Sequence, residues 1–357
     1  EIPLVAGIVD EFEARGLFIF GPSQQAAMLE GSKAFAKDFM RKYRIPTASY
    51  HIFSEAEAAR KHLLGCKIPV VIKADGLAAG KGAIVAHSRN EALSALATIM
   101  EHKQFGEAGN RVVIEEFMEG EEVSVFCLTD GMNICLLPSA QDHKAIYNGD
   151  LGPNTGGMGA YSPAPMMNAE LLQRVHRQIL QPVIEGMALE HKPYRGILYA
   201  GLMITAEGPK VVEFNCRFGD PEAEVILPLL ASDLAEAMWL VAQGDLSDYQ
   251  LTLSAQWALT VVLASDGYPG EYQTGKVING VPRAEEKNVL AFHAGTKEGP
   301  RGKLVTSGGR VLAITGIGDT FPQARERAYL AVNRVRFEGE YHRTDIGAKA
   351  LKHLISS

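Results

Sequence analysis

With about 150 residues typical of one domain, a chain of 357 residues has room for two or three domains. Its 46% hydrophobic and 22% charged residues are those of a globular protein and exclude disordered, collagen-like and membrane classes. The formal charge of −7 argues against general affinity for nucleic acid or an anionic membrane, so any phosphate recognition has to use local cations and backbone amides.

The four cysteines, Cys66, Cys127, Cys135 and Cys216, form no Cys-x-x-Cys pair and read as core or reduced thiols. No apolar run reaches the ~18 residues of a membrane span, the best, Val123 to Leu137, being broken by Asp130 and Asn133. The first residues have neither the basic start nor the apolar stretch of a signal peptide, so a cytoplasmic location is expected.

In chain order, Leu4, Val5, Ile8, Val9 and Phe12 fall near helical spacing before Gly16 and the run Leu17 to Phe20. This predicts a helix feeding a buried strand, the tail of an α/β unit. Ser32 is placed to cap a second helix that carries Phe35, Phe39 and Tyr43 inward and stops before Pro46. Lys33 then sits on its first turn, where unpaired amides and the helix dipole favour an anion, although a solvated surface lysine fits the same position.

Val70 to Lys73 and Ala83 to Ala86 read as strands around the Gly-rich stretch Ala74 to Gly82. The stretch is not a Walker A loop, because three residues rather than four separate Gly76 from Gly80, Gly82 stands where a Ser or Thr should be, and a strand follows. A Gly-rich turn between strands can instead cover a nucleotide as a flap, with Lys73 and Lys81 supplying charge; a surface hairpin has the same composition. A helix over Glu91 to Met100 and strands at Val112 to Ile114 and Val123 to Leu128 follow, so 50–118 reads as an inserted α+β module. Five carboxylates crowd into the eight residues Glu115 to Glu122. They suit either a solvated charge run or a hinge strand in which backbone near Phe117 and Met118 meets an adenine edge and Glu122 meets ribose hydroxyls.

Residues 139–165 are rich in Gly, Pro and Asn and are expected to form a long functional loop, or an Ω-loop packed on itself, with Asp142, Asn154, Thr155, Gly156 and Gly157 offering polar groups and close backbone approach. A long helix is expected over Leu171 to Leu189, then paired strands Gly196 to Ile204 and Lys210 to Phe214, then a helix from Glu222 to near Gly244. In Val211 to Arg217 the alternation puts Glu213, Asn215 and Arg217 on one face. A carboxylate and an amide oxygen two residues apart make a hard-oxygen site for magnesium, with Arg217 able to grip a carboxylate or phosphoryl group; a polar solvent face would alternate likewise. From Trp257 onward short strands alternate with Gly-rich turns and end in a helix over Pro322 to Arg336.

Leu29 to Phe35, Ile72 to Gly82, Gly152 to Tyr161 and Glu213 to Glu222 appear in the order of the ATP-grasp superfamily and closely resemble, within it, the phosphoribosylamine-glycine ligase family, with similarity from Pro3 to near Lys352. The resemblance implies an α/β ATP-grasp fold. Its expected parts are an incomplete N-terminal parallel-sheet domain (1–30), a central domain (31–49 and 119–254), an inserted lid (50–118) that closes on nucleotide and whose Gly76 to Gly82 loop is its most mobile part when empty, and a C-terminal β-rich subdomain (255–357). The family pattern opens with a strand and a glycine-rich turn ahead of the first residue here, so the expectation is either a fragment or a phosphoribosyl substrate site that is incomplete as given.

The activity implied is ATP-dependent joining of glycine to 5-phosphoribosylamine through a glycyl phosphate, giving glycinamide ribonucleotide, ADP and phosphate in purine synthesis. Another ATP-grasp ligase or carboxylase, or an ATP-binding module without turnover, is the alternative. By the same resemblance, Lys33, Lys73, Gly80, Lys81 and Gly82 take the ATP phosphates, Glu115, Glu116, Phe117 and Met118 frame adenine, and Glu122 holds ribose. Glu213 and Asn215 carry Mg2+ or Mn2+, and Arg217 and Lys73 act in transfer. Asp142, Asn154, Thr155, Gly156, Gly157, Asp220 and Arg217 meet the substrates, and fusion to other purine enzymes is expected in some organisms. The strand before Glu213 has no acidic residue over Leu198 to Gly201 that could add a metal ligand.

Overall fold

The computed structural model describes residues 1–78 and 82–356, so Gly80 and Lys81 lie outside the described residues. The chain forms two compact units, Glu1–Leu137 with Ala169–Phe218 and Asp233–Gln250, and Pro138–Asn168 with Gly219–Ser232 and Leu251–Ser357.

In the first unit the apolar run at Val70 forms the strand Val70–Ala74, which pairs with Val112–Glu116 and Ala83–Ala86, and Val112–Glu116 pairs in turn with Tyr50–Phe53. All three ladders are antiparallel. Leu63 and Leu96 from the helices Ala56–Gly65 and Arg89–Leu96 bury against Ile72 and Ile114 of this sheet, giving residues 50–116 a core of their own. A second antiparallel sheet runs Gly208–Asn215, Gly196–Thr205, Glu121–Thr129, Ile134–Leu136. The helix Lys33–Lys42 begins at the expected cap, the Ser32 side chain accepting from the Phe35 amide. The expected strand over Leu17 to Phe20 does not form: Leu17 and Phe18 are exposed, and the Phe18 ring lies 5.0 Å from that of Trp239. An apolar run becomes a strand only when another strand takes its backbone hydrogen bonds.

The second unit is built on a sheet in the order Val289–His293, Arg310–Gly318, Trp257–Ser265, Gly159–Ser162, Gln141–Asp142, with Glu340–Tyr341 also on Trp257–Ser265. Phe321, Ala328 and Val332 of the helix Phe321–Val332 fill its core with Leu259, Val261, Leu312 and Ile314. Two differences from expectation meet here. Residues 139–165 are not an irregular loop: Gln141–Asp142, Ala145–Tyr147, Leu151–Asn154 and Gly159–Ser162 are strands too short for periodicity to reveal. Because Gly159–Ser162 pairs with Trp257–Ser265, residues 138–168 group with the C-terminal part of the chain, where the sequence reading put the boundary at 254.

The helix expected from Glu222 to Gly244 is two helices, Ala223–Ile226 and Leu234–Gln243. The second has Asp233 as its N-cap and Gly244 in the left-handed region at its end. Among the described residues no helix is long and apolar enough to cross a membrane.

Candidate active site

At the start of the helix Lys33–Lys42, Ser32 Oγ donates to Asp75 Oδ1 at 2.8 Å and the Ala34 amide donates to the same oxygen at 3.0 Å. Arg111 approaches the other Asp75 oxygen at 2.5 Å. This carboxylate therefore fastens the strand end at Ala74 to the first turn of the helix. From that turn Lys33 Nζ donates to the Gly76 carbonyl at 3.2 Å. Burial lowers the Lys33 pKa, with the Glu213 carboxylate opposing and Lys73 adding to the shift.

One helical turn on, Lys37 Nζ lies 2.9 Å from Glu115 Oε2 and donates to Thr47 Oγ1 at 2.8 Å. Lys73 Nζ reaches both Glu115 oxygens at 3.0 and 3.1 Å and donates to the Val212 carbonyl at 3.1 Å. Lys37, Lys73 and Glu115 are all buried. Burial brings the Lys37 pKa down to about 8, against the pull of Glu115. Glu115 thus spends its carboxylate on two lysines rather than on a base edge. Glu116 is exposed and accepts from the Ser49 amide at 3.0 Å, which holds its pKa low. Phe117 and Met118 are half-buried in the connection between Val112–Glu116 and Glu121–Thr129. Glu122 is half-buried opposite Met203, and the Gly82 carbonyl accepts from the Ala74 amide at 2.8 Å.

On the strand Gly208–Asn215, Glu213 is registered against Gly201 and Asn215 against Tyr199, so the two point to one face. With its amide nitrogen donating to Glu30 Oε1 at 3.1 Å and to the Phe214 carbonyl at 3.2 Å, Asn215 turns its oxygen the other way. Among the described residues no group of three or more His, Cys, Asp or Glu side chains could hold a metal. One carboxylate with one amide oxygen still fits a magnesium-type ion, which keeps waters and phosphate oxygens as its remaining ligands. Arg217 lies past the end of this strand and so is not in register with Glu213 and Asn215. Its guanidinium pairs with Glu30 at 3.1 Å and Glu1 at 2.6 Å. Burial raises the pKa of Glu30, while Arg217 and the Cys216 amide, which donates to it at 2.8 Å, oppose.

The remaining predicted residues lie in the second unit. Asp142 is half-buried opposite Ala160, and Asn154 is exposed opposite Ala145. Thr155 Oγ1 donates to the Lys144 carbonyl at 2.8 Å and accepts from the Gly157 amide at 2.9 Å. The Gly156 amide donates to the Tyr268 hydroxyl at 3.1 Å. Arg310 grips Asp220 with two parallel contacts of 2.8 and 3.0 Å and donates to the Gly156 carbonyl at 2.9 Å. It ties Asp220 to the 154–157 segment across a long stretch of chain.

Residues 31–223 match the phosphoribosylglycinamide synthetase ATP-grasp (A) domain, and residues 258–349 match the C domain of the same synthetase. A phosphoribosylamine–glycine ligase of Yersinia pestis is 50% identical over 98% of this chain and 82% of its own length. The chain belongs to the phosphoribosylamine-glycine ligase family. Another relative, the human trifunctional purine biosynthetic protein adenosine-3, is 50% identical over 99% of the chain but only 35% of its own length, so in that protein the family's unit is part of a longer polypeptide. The crystal structure of the phosphoribosylamine–glycine ligase of Thermotoga maritima superposes with a TM-score of 0.83 at 39% identity, covering 92% of this chain and 81% of that one. A biotin carboxylase of Campylobacter jejuni, solved as a β,γ-ATP complex, shares the fold at a TM-score of 0.74 and 17% identity, over 94% of this chain and 73% of its own. The fold is the α/β ATP-grasp fold of ATP-dependent ligases.

In this family member the sequence reading passed over Lys37, Asp75, Glu30 and Arg310. Lys37 had a local signal: four residues after Lys33, it shares that helix face between buried Ala34 and Phe39. Arg310 had none, because nothing local joins it to Asp220.

Proposed function

We propose that the chain joins glycine to 5-phosphoribosylamine using ATP. A glycine carboxylate oxygen attacks the γ-phosphorus and ADP leaves; the phosphoribosylamine nitrogen then attacks the acyl carbon, the bond to phosphate breaks, and the nitrogen loses a proton. The products are glycinamide ribonucleotide, ADP and phosphate. Activation comes first because a carboxylate is a poor electrophile until one oxygen becomes a leaving group.

The observation that carries this reading is the gathering of Lys33, Lys73 and Glu213 in one unit, on three elements far apart in sequence, in a chain of this family. Lys33 and Lys73, with Gly80, Lys81 and Gly82, hold the phosphates; backbone over Glu115 to Met118 borders adenine, and Glu122 accepts from ribose. Glu213 and Asn215 would hold Mg2+ or Mn2+, which when bound offsets phosphate charge. Arg217, steadied by Glu30, faces the charge that develops in transfer. Asp142, Asn154, Thr155, Gly156, Gly157 and Asp220 meet the other substrates. No side-chain nucleophile is required, since positioning and electrostatics suffice.

The test is ADP release by the purified chain with glycine and freshly generated phosphoribosylamine. ADP should form with glycine and not with bicarbonate, and Lys73→Ala or Glu213→Ala should lower kcat by about 10²-fold or more. Turnover unchanged when Lys73→Ala and Glu213→Ala are combined would remove these residues from the site; ADP release driven by bicarbonate would make the chain a carboxylase.

A further inference from the structure

Lys37 has no assigned part in the chemistry, yet it is among the most deeply buried charges in the chain, 2% exposed. A lysine taken out of water needs a specific reason to stay charged. Its reason here is Glu115, which it shares with Lys73: Lys37 approaches Oε2 at 2.9 Å, and Lys73 reaches both oxygens. The two lysines are also tied to adjacent carbonyls of the strand that carries Glu213. Lys73 donates to Val212 O at 3.1 Å, and Lys37 reaches Val211 O through Thr47, whose hydroxyl donates to it at 2.7 Å.

Charge counting gives this arrangement its consequence. A lone Lys73–Glu115 pair would be neutral and would offer an anion little. With Lys37 on the same carboxylate, the buried trio carries one surplus positive charge, and Lys33 and Lys73 influence one another nearby. In a site shielded from water such a surplus acts over several ångströms. We propose that Lys37 is a positioning residue of the nucleotide site, which by sharing Glu115 leaves Lys73 a net positive charge toward the ATP polyphosphate. The inference rests on the nucleotide-site reading above. It makes one distinctive demand: losing the Lys37 charge should weaken binding in proportion to the phosphates carried by the ligand, whereas a purely structural role would weaken every adenine nucleotide alike.

The experiment is calorimetric titration of ATP, ADP and AMP, with magnesium present, into the wild type, Lys37→Met, Lys37→Gln and Lys73→Ala. The two neutral Lys37 variants should bind ATP about tenfold more weakly and AMP within about twofold of the wild type, with ADP between. If either folded variant loses ATP and AMP affinity by the same factor, or binds ATP as the wild type does, Lys37 does not act through charge. Should both unfold, Lys37→Arg keeps the charge, and an ATP-to-AMP preference in it reduced as far as in Lys73→Ala would overturn the proposal. Failure of the underlying reading looks different: Lys73→Ala would then bind ATP as tightly as the wild type.

Discussion

At the scale of the residue, His143 makes the stability of the second unit depend on acidity. The ring is 2% exposed and sits 5.8 Å from that of Tyr161; its Nε2 accepts from the Gly347 amide at 3.4 Å. Among the described residues its buried Nδ1 has no hydrogen-bond partner. Burial first, then Arg343 and Lys349, bring its pKa down from 6.5 to about 4, with Asp150 and Asp345 pulling the other way. The unfolded chain binds this proton near pH 6.5 and the folded one only near pH 4, so stability is full above pH 6.5 and drains away as the pH falls. At ~1.4 kcal/mol per pKa unit the loss between pH 7.5 and 5 is about 2 kcal/mol. Urea unfolding of the wild type at the two pH values should show it, and His143→Gln should show a flatter dependence; equal slopes would assign the acid sensitivity to other groups. In the sequence His143 is only a histidine in a polar stretch. Besides Tyr161, its surroundings include Gly347, Arg343 and Lys349, about two hundred positions away, which no local pattern contains.

At the scale of the element, the legible pieces were those whose signals are local. Ser32 capping the helix Lys33–Lys42 and the strands on either side of the glycine-rich stretch follow from capping chemistry and from runs of β-branched residues. The strands of 141–162 were not legible: they are two to four residues long, Ala145–Tyr147 and Leu151–Asn154 pair only with each other, and Gly159–Ser162, which holds Gln141–Asp142, has its other partner a hundred residues on. Gly157 shows how tightly that segment is held. Its φ is +113°, and a Cβ there would lie 2.3 Å from Pro221 Cδ, well inside contact distance. Gly157→Ala should therefore destabilise the second unit by roughly 2–3 kcal/mol, from backbone strain together with the clash. Gly65→Ala, with nothing within 4 Å of its added Cβ, should change the melting temperature little. Equal melting temperatures for the two variants would mean that the 154–157 segment yields freely.

At the scale of the whole molecule, ligand linkage locates the nucleotide. ATP at a hundredfold its Kd should stabilise the chain by about 2.7 kcal/mol. In hydrogen exchange the slowing should include Val70–Ala74, Val112–Glu116 and Gly208–Asn215. Slowing confined to the second unit would place the nucleotide elsewhere. The sequence alone was enough for the family and for the helices and strands with strong local signals, because long motifs, caps and apolar periodicities are carried by neighbours in the chain. Only the tertiary structure decided how those residues are employed. Glu115 became the shared counter-ion of Lys37 and Lys73, Asp75 the tie between a strand end and a helix start, Arg310 the clamp on Asp220, and Arg217 a residue beyond the strand it was expected to extend. Each of these depends on charges brought together from distant parts of the chain. Coulomb attraction and desolvation act through space, so their outcome is set when the chain packs and is not written in the spacing of the residues.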